Sequence, residues 1–320
     1  MTISGGAVMP ADDIDPEIRR FAERLQADYA RHFAGAELDM PQRREVAEQV
    51  RAPWREGGPA MAATEERRVG PSGVRVRIHR PTLDTPLPVL IYIHGGGWTT
   101  FSLDTHDRLM REYAHRACCA VVGIDYSLSP EARFPRALEE IAEVLAWLRA
   151  DGASFGLDTA SVAIGGDSAG ANLSLASMVR ARDSDEPLVQ GMLLNYGAFD
   201  ETPRESHARY GGEEYMLTPD EMDWFWRNYR GEDRSIDPLA RPLHAKLEGL
   251  PPAFLCIAEC DILADENREM ARLLMQAGVE VTAEVYRGAT HSFLEAVSIS
   301  SLADRALNDA SAWLRRTLTA

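Results

Sequence analysis

Cysteine is scarce in this chain. Its 320 residues include four, Cys118, Cys119, Cys256 and Cys260, and no two form a C-x-x-C pair. Without tight Cys/His ligand spacing a zinc site is not expected, and no other metal or cofactor is called for. Three of the four cysteines sit in or beside apolar, strand-like runs, so they read as free buried thiols of a reducing cytoplasm. Basic residues are also in deficit, 34 Lys and Arg against 50 Asp and Glu, for a net charge of −16. Phosphate backbones and anionic bilayers select basic surfaces, so nucleic acid and membrane are excluded as expected partners. No apolar run approaches membrane-spanning length. Met1 to Asp15 lacks the basic start and long apolar centre of a secretory signal, so none is expected. Internal repeats and low-complexity tracts are missing as well.

What the chain does have is material for a core and a regular rhythm. Hydrophobic residues make up 45%, ample for a sizeable core, and the length fits two average domains or one large α/β domain with a lid. Residues 1–60 read as polar, amphipathic helices, Ile14 to Phe33 and Pro41 to Arg55. Glu65 to Val69 and Val74 to Arg80 read as strands joined by the turn Gly70-Pro71-Ser72-Gly73. Strands and helices then alternate: strand Pro88–Ile93, helix Asp107–Arg116, strand Cys119–Ile124, helix Phe134–Ala150 and strand Val162–Gly165. The helix after Ser168 follows, then strands Val189–Asn195 and Pro252–Ala258, helix Leu263–Ala277, strand Val279–Tyr286 and helix Leu302–Leu318. Continuous apolar strands alternating with amphipathic helices predict a mostly parallel eight-stranded sheet covered by helices on both faces. One stretch breaks the rhythm, residues 197–250, with the aromatic-rich run Tyr215 to Tyr229. Together with 1–60 it reads as a helical cap over the strand ends, leaving 61–196 and 251–320 as the core. Trp98, Trp224, Phe225 and Trp226 are candidate pocket residues, although such rings serve equally well as local core.

Between the strand ending at Gly165 and the following helix lies Gly166-Asp167-Ser168-Ala169-Gly170, a G-x-S-x-G pattern. A serine hydroxyl is a weak nucleophile that must stand clear of the sheet, where a base and oxyanion donors can reach it. A sharp strand-to-helix turn achieves this, and glycines two before and two after relieve its crowding. A chain of this length meets the bare pattern by chance roughly one time in ten, so its context has to carry the assignment. In open α/β sheets reactive groups lie beyond the carboxyl ends of the strands. After strand Pro88–Ile93 comes His94-Gly95-Gly96-Gly97-Trp98, whose backbone amides can approach a substrate oxygen with no Cβ in the way. No lysine or G-K-[ST] follows, which argues against a phosphate loop. Past strand Pro252–Ala258 comes Asp261, with Asp265 one helical turn later as the alternative acid. His291 follows the strand Val279–Tyr286. Serine, acid and histidine thus fall in that order, each after a successive strand, as a nucleophile, its orienting carboxylate and a base require.

Together, H-G-G-G-W (94–98), Asp125-Tyr126-Ser127-Leu128-Ser129-Pro130-Glu131, G-D-S-A-G (166–170) and the Asp261/His291 pair resemble one family. It is the hormone-sensitive lipase family of α/β-hydrolases, in its bacterial family IV short-chain carboxylesterase branch, and the resemblance spans roughly residues 60–318. It implies the α/β-hydrolase fold and a nucleophile at Ser168, a base at His291 and an orienting acid at Asp261. It implies oxyanion donors at Gly96, Gly97 and Ala169, and a loop-shaping role for His94. The implied partner is a small ester with a short acyl chain, and a homodimer through 279–286 is compatible with the family. The acid loop departs from the family's D-P-L-x-D-E, reading Asp261-Ile262-Leu263-Ala264-Asp265-Glu266, which leaves the loop less fixed and Asp265 open as the acid. Amide or formamide hydrolysis on the same triad, a lyase using the same pocket, and a non-catalytic small-molecule receptor of the same fold are the competing readings.

Overall fold

The computed structural model describes residues 13–33, 38–84, 86–233 and 235–319. The chain opens with helices α1 (Pro16–Phe33) and α2 (Met40–Arg55), then runs through β1 (Ala63–Val69), β2 (Val74–Arg80), β3 (Leu87–Ile93), α3 (Asp107–Ala117), β4 (Ala120–Asp125) and α4 (Arg136–Asp151). It continues as β5 (Leu157–Asp167), α5 (Ala169–Asp183), β6 (Gly191–Asn195), α6 (Glu205–Arg209) and α7 (Pro219–Arg230). The last elements are β7 (Ala253–Cys260), α8 (Ala264–Gln276), β8 (Val281–Thr290) and α9 (Ser301–Leu318).

The eight strands form one sheet in the order β1-β2-β4-β3-β5-β6-β7-β8. β1, β2 and β4 pair antiparallel, while every pairing from β4–β3 to β7–β8 is parallel. The alternation of side chains along a strand splits the core into two layers. On β3, Val89, Ile91 and Ile93 face a cluster with α4, α5 and α8. Leu90 and Tyr92 face the opposite cluster, built with α1, α2, α3 and α9. Both layers are apolar, so the central strands read as unbroken hydrophobic runs rather than alternating ones.

Local chemistry fixes the helix starts. Asp39 accepts from Gln42 N while Gln42 returns a bond to the Asp39 backbone, closing a capping box at the start of α2. Thr218 and Glu221 do the same for α7, with Pro219 in the first turn. Ser300 caps α9 through the amide of Ala303.

Two strands run longer than their apolar segments predict. β5 starts at Leu157, because that residue pairs with Leu87 across an irregularity, and the polar stretch Asp158 to Ala160 carries no strand signal. β8 continues past Tyr286 through Gly288, whose φ of +76° would ordinarily end a strand. It resumes pairing at Thr290 opposite Cys260, and Asp15 N donates to Gly288 O at 2.9 Å. The consequence is functional, since β8 delivers the chain directly to His291. Within 197–250 lie α6, α7 and short turns. Among the described residues no helix is long and apolar enough to cross a membrane.

Candidate active site

β5 ends at Asp167 and α5 begins at Ala169, so the reversal rests on Ser168 alone, at φ 54° and ψ −117°. That positive φ is costly for a side-chain-bearing residue and persists only where the surroundings enforce it. They do so here. Ser168 N donates to Asn195 O at 2.9 Å, and a Cβ at either Gly166 or Gly170 would run into the carbonyl of Ile93. The glycines are therefore required chiefly by the end of β3 and only secondarily by each other.

His291 and Asp261 arrive from β8 and β7. His291 Nε2 lies 3.0 Å from Ser168 Oγ, and His291 Nδ1 lies 2.7 Å from Asp261 Oδ2. The other Asp261 oxygen accepts from Leu263 N at 3.0 Å, and the carboxylate is fully buried. A carboxylate held on Nδ1 places the ring proton there and leaves the Nε2 lone pair facing the hydroxyl. Asp265 points elsewhere: its Oδ2 accepts from Ser206 N at the start of α6, 2.9 Å. The orienting contact thus belongs to Asp261.

The glycine loop closes the opposite side. Gly96 and Gly97 have φ of 101° and 58°, and both line one cavity with Ser168, Ala169 and His291. Ala169 is the first residue of α5, so its N–H has no helical carbonyl to bond. The loop is braced from α2: Arg44 donates to Thr99 O and Ser129 O, each at 2.8 Å, and pairs with Glu131 at 2.6 Å. His94 stacks on Tyr126 with ring centroids 4.5 Å apart, and its Nδ1 lies 2.8 Å from Gly95 O, a loop-shaping arrangement.

The cavity measures about 530 Å³. Trp224 and Phe225 of α7 line it, and the Phe225 ring sits against Gly97 so closely that a Cβ there would collide with it. Trp98 and Trp226 do not line it, which corrects the expectation for these two. Trp98 stacks on Tyr229 at 4.3 Å and 5°, and its ring centroid is 4.5 Å from that of Trp226. They are 1% and 2% exposed, because Trp226 and Tyr229 lie on the buried side of α7 and Trp98 packs against both. Their neighbours Trp224 and Phe225 point off that side.

Sequence reasoning missed the polar network behind the serine. Tyr92 Oη donates to Asp167 Oδ1 at 2.7 Å, and His106 Nε2 lies 3.3 Å from Asp167 Oδ2. A Cβ at Gly95 would fall within 3 Å of that carboxylate and of the Asp167 carbonyl, so the glycine loop rests directly on Asp167. No spacing in the chain connects positions 106 and 167, although the alternation of β3 does put Tyr92 on their face. Equally unsignalled are two groups that fix the pocket wall at 197–199. Glu266 Oε1 accepts from Phe199 N at 2.6 Å, and Asn172 Nδ2 donates to Ala198 O at 2.7 Å. Burial pushes the Glu266 carboxyl well above the usual carboxylate range.

The histidines of this network are shifted in opposite directions. Burial first, and the neighbouring His106 second, push His94 down to about 4. For His106 burial acts downward, but the charge and hydrogen bond of Asp167 outweigh it and the net shift is upward. For Asp167 burial acts upward, and His106 and Tyr92 outweigh it, giving a lowered carboxyl.

Comparison with known proteins identifies the family. Residues 90–295 match the family model described as the α/β hydrolase fold, and the chain belongs to that family. An acetyl esterase of Salmonella schwarzengrund is 35% identical over 261 residues, 80% of each chain. An esterase structure from Pyrobaculum calidifontis superposes with a TM-score of 0.87 at 32% identity, covering 96% of this chain and all (100%) of that one. An ester-hydrolase from the Lake Arreo metagenome, crystallised with a bipyridine phosphonate derivative, gives 0.88 at 31% identity, covering 96% and 100%.

The Asp167–His106 pair has a signed pH dependence. A depressed carboxyl contributes stability above its unfolded pKa of about 3.9 and loses it as pH falls; a raised imidazole contributes below about 6.5 and loses it as pH rises through its folded value. The pair should therefore stabilise most between about pH 4 and 6.5. Replacing His106 with Gln leaves a buried carboxylate unpaired and should cost about 3–5 kcal/mol near pH 5. Thermal denaturation of both proteins across pH should show the gap narrowing on the alkaline side; a gap constant to pH 9 would contradict the pairing.

Proposed function

We propose that Ser168 is the nucleophile of an acyl-enzyme mechanism, with His291 as general base and acid and Asp261 as its orienting carboxylate. The enzyme is a carboxylic ester hydrolase. The observation that carries the residue roles is the unbroken relay from Asp261 through His291 to Ser168, 2.7 and 3.0 Å, at the floor of the cavity. Ser168 Oγ attacks the ester carbonyl as its proton passes to His291 Nε2, and Asp261 stabilises the imidazolium on the far side. The oxyanion forms where the amides of Gly96, Gly97 and Ala169 converge, donors worth roughly 2.7–4 kcal/mol each in such sites. Collapse expels the alcohol with the His291 proton. Water, deprotonated by the same imidazole, then releases the acid.

The acyl group is short, about two to six carbons, on this reading. Trp224 and Phe225 line the same cavity as the serine, and Phe225 closes directly over Gly97. The acetyl esterase relative is consistent with a small acyl pocket. Four free thiols, three of them buried, fit a reducing, cytoplasmic setting.

Ser168→Ala should lower kcat on nitrophenyl acetate by 10⁴-fold or more, by analogy with other serine triads, with the circular dichroism spectrum unchanged. Retained turnover would overturn the nucleophile assignment. Phe225→Ala should move the preferred acyl length upward by several carbons in a nitrophenyl ester series. A wild-type optimum at long chains, or no shift in the variant, would contradict the short-acyl reading.

A further inference from the structure

One buried ionic pair crosses from the amino-terminal helices to the loops that carry the chemistry. Arg51, on α2, places Nη1 2.6 Å from Glu295 Oε2, and the two side chains are 6% and 5% exposed. Glu295 sits four residues beyond His291, in the 3₁₀ turn Phe293–Ser298. Between them Ser292 takes a left-handed φ of 60°, and Glu295 N donates back to Ser292 O at 3.1 Å. The segment from His291 to Glu295 is thus one tight turn, which links the carboxylate to the imidazole through four residues of backbone.

The same guanidinium has a further contact. It lies over the Phe101 ring, 4.8 Å from its centroid. Phe101 in turn packs against the oxyanion loop, within 2.8 Å of where a Cβ at Gly96 would stand. The Tyr29 hydroxyl of α1 also acts on Arg51 electrostatically and helps to raise its pKa. A single cation therefore meets the turn holding the histidine and the ring packed on the glycine loop, and it lines the cavity itself.

Stability is a poor explanation for such a pair. Removing a guanidinium and a carboxylate from water commonly cancels their attraction, and the best-attested use of a buried pair is to fix one registry among several. Arginine suits that task, since its planar fork can bond two partners while its face covers a ring.

We infer that Arg51 is a positioning residue which, by holding Glu295 and Phe101 together, sets the separation of His291 from the Gly96 and Gly97 amides. The catalytic geometry is then complete only with α1 and α2 seated. This rests on the roles proposed above for Ser168 and His291.

The test compares Arg51→Met, Arg51→Lys, Glu295→Gln and the double variant Arg51→Met/Glu295→Gln in the full chain, each checked for a folded spectrum at the assay temperature. Misplacement on the order of 1 Å can cost about 10²-fold. Arg51→Met should therefore lower kcat on nitrophenyl acetate by about 10- to 100-fold with KM within about twofold, and Arg51→Lys should fall between it and the wild type. Adding Glu295→Gln to Arg51→Met should cost little more, because the two residues act as a unit. If kcat in Arg51→Met stays within about twofold of wild type while only the melting temperature drops, the residue is structural and the inference fails. If KM rises tenfold at constant kcat, Arg51 binds substrate instead, and the inference also fails. Should Arg51→Met not fold, Arg51→Lys decides: a threefold or larger loss of kcat at constant KM supports the inference, and wild-type kcat overturns it. Ser168→Ala run alongside separates the two levels, because activity surviving in that variant would sink the triad reading itself.

Discussion

The contact on which the site depends is the approach of the first turn of α5 to the end of β3. Gly170, two residues past the serine, lies against the carbonyl of Ile93, and so does Gly166, two residues before it. Ile93 is followed at once by His94 and the glycines proposed to hold the oxyanion. The packing that bends the chain at Ser168 therefore also fixes how far the hydroxyl stands from the loop amides. A methyl group at either glycine would push the two apart, and nothing else in the site could restore the spacing, because it meets backbone rather than a movable side chain. Asp167 reinforces the arrangement from beneath, since the glycine loop rests on its carboxylate and that carboxylate is held by Tyr92 and His106. Preorganised donors contribute most when they need not move during the reaction, and this junction leaves them little room to do so.

Around that fixed centre the remaining elements divide their work. β7 and β8, at one end of the sheet, bring in Asp261 and His291, with the irregularity between Ala258 and Cys260 allowing β8 to run on to Thr290. α1, α2 and α7 roof the cavity. Their contacts with the core are made by specific polar groups as well as by apolar surface: Arg44 on the carbonyls of Thr99 and Ser129, Arg51 on Glu295. Helices attached this way help to determine the shape of the site as well as to line it.

Much of this was legible in the chain. Apolar runs marked the strands to within a few residues, and the residue following each strand marked the place to look for chemistry, so Ser168, Asp261, His291 and the glycines emerge from position and residue type together. Less legible was whatever depends on contacts between distant segments. The extension of β8 through Gly288 is invisible because a glycine at positive φ ordinarily signals a stop. Trp98 and Trp226 look like pocket residues beside Trp224, yet one residue of helical rotation separates Trp226 from the cavity-lining Phe225, and Trp98 is stacked away on Tyr229. His106, Glu266 and Arg51 carry no local signature at all. Each is a polar residue whose burial is decided by a partner between 61 and 244 residues away.

The convergence of three loops on one hydroxyl is tested most directly by covalent trapping. Incubation with a fluorophosphonate followed by peptide mass mapping should place a single adduct on Ser168, and the adduct should be lost when His291 is replaced by Ala. Modification of another residue in its place, or no adduct on the folded wild-type protein, would contradict the account.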